Sequence, residues 1–171
     1  MIGGGGEGGG IPFSPRGRKP CLENGRRSVC PGIRIAGIMD LITIKHEKGL
    51  CFSIQVRGHR FLMDMPKDAK GEDQGPSPAD YLAAALGGCM GMHMALYCQT
   101  AGLPSEGMEM NLVYNLVEEK GQRRIGTVTV DVHLPANPGP RGAAVLRAAK
   151  NCIVRNTLEK APEIDMALGE E

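Results

Sequence analysis

The sequence predicts an α+β fold, and three observations predict it. Two stretches, 40–65 and 108–134, alternate apolar with polar side chains and are punctuated by turn residues, the pattern of antiparallel hairpins. Between them, residues 81–100 carry no formally charged side chain and read as one long helix. The resulting order, βββ-α-ββ-α-α-β, segregates hairpins from helices instead of alternating strand with helix as a parallel sheet requires.

The first 38 residues stand apart from this scheme. Seven of the first ten are glycine, and six basic side chains face only Glu7 and Glu23. Nothing there alternates or recurs with helical spacing, so 1–38 is expected to be a disordered or non-native extension, with Met39 as the natural start of the domain 39–171. An N-terminal meander follows. Leu41, Thr43 and the run 50–56 are β-rich, Gly49 turns the chain, and 59–65 continues until Pro66 stops it. Residues 66–76 form a polar loop rich in Gly and charge.

Ser77-Pro78-Ala79-Asp80 is a helix start: Ser77 can cap, Pro78 suits the first helical position, and Asp80 can return a hydrogen bond to the cap. Gly102 and Pro104 end the helix, which at about 24 residues spans roughly 36 Å. Its length and lack of charge suit a membrane span, but Gly87, Gly88, Gly91, His93 and Gln99 dilute its hydrophobicity. The better expectation is a central helix buried on all sides. Each glycine costs about 1 kcal/mol relative to alanine in a helix, so the cluster predicts close approach of another helix, for which a second copy of the chain is the candidate. Strands 108–118 and 124–134 follow, then a loop at 135–140 and a helix at 143–151 with Cys152 near its end. A helical turn at 154–158 and a last short strand at 163–168 complete the chain.

Composition narrows the function. The 171 residues carry a formal charge of +1, only 4% aromatics and no Trp, which argues against nucleic acid or an anionic membrane as partner. Six cysteines form no C-x-x-C pair, and a chain of this length needs no disulfide staples, so a cytoplasmic protein with reduced thiols is expected. Phosphate-binding loops and the Gly-x-Ser-x-Gly elbow are missing from the body.

Cys89, in the middle of the glycine-flanked helix, is the foremost candidate for chemistry, although a small thiol in a buried helix is more often packing. Cys152 could complete a dithiol, which requires the two Cα atoms to approach within about 7 Å. Cys98 and Cys51 read as core, and Cys21 and Cys30 fall in the extension. Cys89 and His93 share a helix face at i, i+4, half of a thiolate–imidazole pair or metal site without a persuasive third ligand. Met90, Met92 and Met94 alternate, which spreads them around the helix axis as core filler rather than gathering them on one copper ion.

The segments VRGHRFLMD (56–64), GEDQGPSPADYLAAALGGC (71–89), RIGTVTVDVHLP (124–135) and AAKNCIVRNTL (148–158) together resemble the OsmC/Ohr family of hydroperoxide-handling proteins, closer to its short OsmC-like branch. The resemblance covers residues 40–168 in order. It implies an OsmC-like intertwined homodimer with sites between subunits. It also implies thiol-dependent reduction of organic hydroperoxides, with Cys89 as peroxidatic and Cys152 as resolving cysteine, reset by a lipoyl-type dithiol without metal, flavin or other cofactor. Cys89 lies too far along its helix to be activated by that helix's own N-terminus, so the resemblance implies an arginine from the N-terminal strands, Arg57 first and Arg60 next, held by the acid Asp80. Ala79 stands where the Ohr branch has a glutamate, and Ile153 where the family usually has proline. The alternatives are a non-catalytic OsmC-like dimer that binds a small apolar ligand or senses oxidants, and metal binding through Cys89 and His93.

Overall fold

The computed structural model describes residues 41–168 and, before them, two short strands, β1 (Leu22–Glu23) and β2 (Arg26–Arg27), paired antiparallel. The expectation for the rest of 1–38, with Cys21 and Cys30, lies outside the described residues. The body is α+β. β3 (Thr43–Lys48), β4 (Cys51–Val56) and β5 (His59–Met63) form the meander in the order β3-β4-β5. β6 (Glu109–Glu119) and β7 (Gln122–His133) form the second hairpin. α1 (Pro78–Ala101) lies between these sheets in sequence, and α2 (Gly142–Ala148) and α3 (Ile153–Glu159) follow them, joined by a 3₁₀ turn at Ala149–Asn151.

The capping signals act as the sequence predicts. Ser77 Oγ accepts from the Asp80 N–H, and Asp80 Oδ2 accepts from the Ser77 N–H at 2.9 Å, a complete capping box with Pro78 at the first helical position. Gly102, at φ 64°, takes the left-handed conformation that ends the helix. The β4–β5 turn uses Arg57 (φ 48°) and Gly58 (φ 84°), the two positive φ angles of a tight hairpin whose twist matches its strands.

Asp64 organises the loop that leads into α1. Its buried carboxylate accepts from the backbone N–H groups of Met65, Glu72 and Gln74 at 2.8, 3.1 and 3.2 Å. Burial alone would raise its pKa, but these three donors prevail and hold it below the ordinary carboxylate value. The meander meets the first turn of α1 through Tyr81, whose hydroxyl donates to the Leu62 carbonyl at 2.6 Å and whose ring lies 5.7 Å from that of Phe61.

Within one chain α1 is buried on one side: Ala83, Leu86, Gly87, Met94 and Cys98 are covered, whereas Met92 is 71% and Leu96 60% exposed. A single chain supplies packing for one side only, from β6, β7, α2, α3 and the intervening 3₁₀ turn. Two of the helical glycines, Gly87 and Gly91, accommodate a strand of the same chain where another helix was expected. A Cβ on Gly87 would come 2.6 Å from Leu112 Cδ1, and one on Gly91 would come 2.9 Å from Met110 Sδ, both residues of β6. Gly88 would meet nothing within 4 Å. The strand expected at 163–168 does not form. Ile164, Met166 and Leu168 are 79%, 94% and 99% exposed, and a strand needs a hydrogen-bonding edge that the tail does not find among the described residues.

Candidate active site

Cys89 sits midway along α1, and Cys152 is delivered to it by packing from far downstream. Val145 of α2 and Ala149 of the 3₁₀ turn bury themselves against Met94 and Cys98 of α1, forming the core cluster. That contact docks the α2–α3 joint onto the helix. Cys152, at the joint, is fully buried and has the extended backbone of a cap residue, its sulfur accepting from the Arg155 N–H at 3.3 Å. Its S–H donates to the carbonyl oxygen of Leu86 at 3.9 Å, three residues before Cys89 and on the same side of α1.

The environments of the two thiols push their acidities apart. Burial raises the Cys89 pKa, but the hydrogen bond from Cys152 and the N–H groups of Val154 and Ile153 outweigh it, leaving Cys89 below the ordinary thiol value of 9.0. Cys152 moves the other way, raised first by burial and then by its bond to Cys89. Cys89 is therefore the more readily ionised of the two. Cys89 is half-buried and can be reached, while Cys152 cannot. Alkylation of Cys89 by iodoacetamide is thus expected to follow a titration midpoint below 9.0, and Cys152→Ala to move that midpoint upward. An unchanged midpoint would show that the pair does not set the ionisation.

The remaining expected site residues lie elsewhere. Asp80 is nine residues before Cys89, about 13 Å along the axis and on the opposite side of the helix. Its carboxylate serves the capping box through Oδ2 and accepts from the Tyr114 hydroxyl at 2.7 Å through Oδ1, tying β6 to the start of α1. The hydrogen bonds from Ser77 and Tyr114 hold Asp80 below the ordinary carboxylate value against its burial. Arg57 is exposed at the β4–β5 turn, and Arg60 pairs with Glu47 at 2.9 Å on the meander. Neither is among the groups that set the ionisation of Cys89 within one chain. The activating N–H groups of Ile153 and Val154 were not anticipated from sequence, because nothing local marks which sulfur the start of α3 will face.

Cys98 and Cys51 are buried as packing residues. Met94 is buried and Met92 exposed, so these side chains diverge around α1 as their spacing predicts. Among the described residues, no three His, Cys, Asp or Glu side chains converge as metal ligands. Beside the thiol pair, Leu82, Ala83 and Leu86 of α1, Ile125 and Val128 of β7 and Leu158 of α3 line an apolar cleft of about 200 Å³, which adjoins Cys152 through Leu86. A larger hollow of about 500 Å³ lies on the meander, where Lys48 and Arg60 are already paired with Glu72 and Glu47.

The architecture matches several solved structures. An OsmC-like protein of unknown function from Vibrio cholerae superposes with a TM-score of 0.63 at 14% identity, over 72% of this chain and 95% of its own. An organic hydroperoxide resistance protein OsmC from Legionella pneumophila does so with 0.59 at 16%, over 74% and 93%. The organic hydroperoxide resistance protein OhrB of Bacillus subtilis gives 0.55 at 20%, over 72% and 93%. At such identities the likeness speaks for the fold alone. No curated protein sequence matches the chain significantly. The family of OsmC-like proteins, however, matches residues 71–167, a span that contains α1, the second hairpin and both cysteines of the pair, and the chain belongs to that family.

Proposed function

We propose that the protein reduces organic hydroperoxides with Cys89 as the peroxidatic and Cys152 as the resolving cysteine. The observation that carries this reading is the docking of buried Cys152 at Leu86, on the side of α1 that holds the reachable and more readily ionised Cys89. The Cys89 thiolate attacks the distal oxygen of the hydroperoxide, the O–O bond breaks and the alcohol leaves. Cys89 is then a sulfenic acid, and Cys152 condenses with it to a disulfide with loss of water. A lipoyl-type dithiol reduces the disulfide by thiol–disulfide exchange. The adjoining apolar cleft suits the organic part of the substrate. The hydroperoxide resistance proteins from Legionella and Bacillus, similar in fold, support the same direction.

The working unit is proposed to be an intertwined homodimer. Leu82, Met92 and Leu96 expose apolar surface along the uncharged stretch 81–100 of α1, which a second copy would cover. Arg57 of the partner subunit would then supply the cation near Cys89, while Asp80, bonded to Ser77 and Tyr114 on the opposite side of α1, fixes the start of the helix. Cytoplasmic placement follows from the need for reduced thiols. The test is intact mass after a single equivalent of cumene hydroperoxide. The expected result is loss of two hydrogens, blocked by Cys152→Ser. An unchanged mass would overturn the reading in favour of a non-catalytic dimer that binds apolar ligands in the cleft.

A further inference from the structure

We infer that the outward face of α2 and the joint after it is where an acidic protein domain docks to deliver the reducing dithiol, an assignment that rests on the peroxidase reading above.

The charge of this stretch departs from the rest of the described body. Residues 141–160 hold five basic side chains, Arg141, Arg147, Lys150, Arg155 and Lys160, and one acid, Glu159. Residues 41–138 hold nine basic side chains and eleven acidic ones. Arg155 is paired with Glu159, and Arg141 donates to the carbonyl of Ala101. Arg147 and Lys150 are exposed and have no ion-pair partner among the described residues. Val145 and Ala149 turn inward onto Met94 and Cys98 of α1. Helical spacing then sets Arg147 and Lys150 on the outward side.

Beside these two cations lies an apolar hollow of about 360 Å³, walled in part by Val132, Leu134, Pro138 and Leu146. Leu146 precedes Arg147 and is 58% exposed, and Ile153, directly after Cys152, is 71% exposed. An apolar anchor point with a charged margin is the anatomy of a contact between proteins. A small anion needs no apolar anchor. A nucleic acid would call for stacking side chains, and residues 141–160 hold no aromatic. The positive margin selects a partner of negative charge.

The face is also in the right place. Lys150 is two residues before Cys152, within about 8 Å of it along the chain, and Cys152 docks at Leu86, one turn before Cys89. A carrier seated here brings a dithiol on a flexible arm to the oxidised pair. One thiol of the arm loses its proton and attacks the reachable Cys89 sulfur, the Cys89–Cys152 bond breaks, and Cys152 leaves as a thiolate that takes up a proton. The second thiol of the arm attacks the first and releases Cys89. Both cysteines end reduced and the carrier ends as a cyclic disulfide, having given two electrons and two protons. Cys152 stays buried throughout.

The test compares two reductants for hydroperoxide turnover by the full chain: a purified acidic lipoyl domain in its dihydro form, and free dihydrolipoamide, a neutral dithiol. Arg147→Glu with Lys150→Glu reverses the charge, and Arg147→Lys with Lys150→Arg preserves it. With the domain, charge reversal is expected to lower kcat/KM roughly tenfold at low salt. The gap should close in 1 M salt, where the Debye length is about 3 Å. The charge-preserving variant should match wild type, and with dihydrolipoamide all three proteins should turn over alike. An unchanged kcat/KM with the domain overturns the docking surface, as does an equal loss with both reductants. So does a change of oligomeric state in light scattering, which would assign the face to a contact between copies. If the wild type consumes no hydroperoxide with either reductant and forms no Cys89–Cys152 disulfide, the peroxidase reading itself fails.

Discussion

Cys89→Ser is expected to abolish hydroperoxide consumption, lowering it by roughly a thousandfold or more, the scale on which essential nucleophiles are lost. The substitution is nearly isosteric and sits on a half-exposed turn of α1, so the helix and its core contacts with α2 should survive. What disappears is the ionised sulfur. A serine hydroxyl at the same place meets the same surroundings, yet these cannot bring an alcohol into the range where it ionises at neutral pH. Peroxide disappearance in the presence of dithiol, together with circular dichroism to confirm the helices, checks this. Turnover at the wild-type rate would mean that the chemistry lies elsewhere in the chain.

The largest expected effect on stability comes from a glycine remote from the thiols. Gly71→Ala should destabilise the fold by about 4 kcal/mol, at the upper end of single substitutions. An alanine Cβ there would lie 1.7 Å from the carbonyl oxygen of Met65, 2.4 Å from its carbonyl carbon and 2.8 Å from its Cα. These are backbone atoms, so no side-chain rotation relieves the clash. Nor can the loop simply move outward, because Asp64 holds both of its sides through the N–H groups of Met65, Glu72 and Gln74. Opening the loop would strand a buried carboxylate away from its donors, which is costly in itself. Urea unfolding of the variant against wild type measures the loss, and a midpoint within error of wild type would show that the loop is slack.

Local signals explain what could be read in advance. The Ser77-Pro78-Ala79-Asp80 start and the Gly102 stop act through hydrogen bonds within a few residues, so both ends of α1 were legible. The hairpins were legible for a similar reason: side-chain alternation is enforced residue by residue by the pleat. Expectations failed where the answer depended on what a residue meets across the chain. The glycines of α1 announced a close neighbour but not its kind, and β6 filled the place expected for a helix. Tyr114 carries no local mark of its bond to Asp80, 34 residues away. The alternating tail at 163–168 had the composition of a strand but finds no edge to pair with among the described residues.

The thiol pair divides along the same line. That Cys89 and Cys152 are the sulfurs to watch was evident from their positions in the chain and from the motifs around them. Their unequal ionisation was not, since a thiol's acidity depends on the donors and the burial it meets, and those are assembled only when α2 docks on Met94 and Cys98. The order of residues determined the helix, the hairpins and the candidates. Packing between segments some sixty residues apart decided which of the two sulfurs ionises more readily.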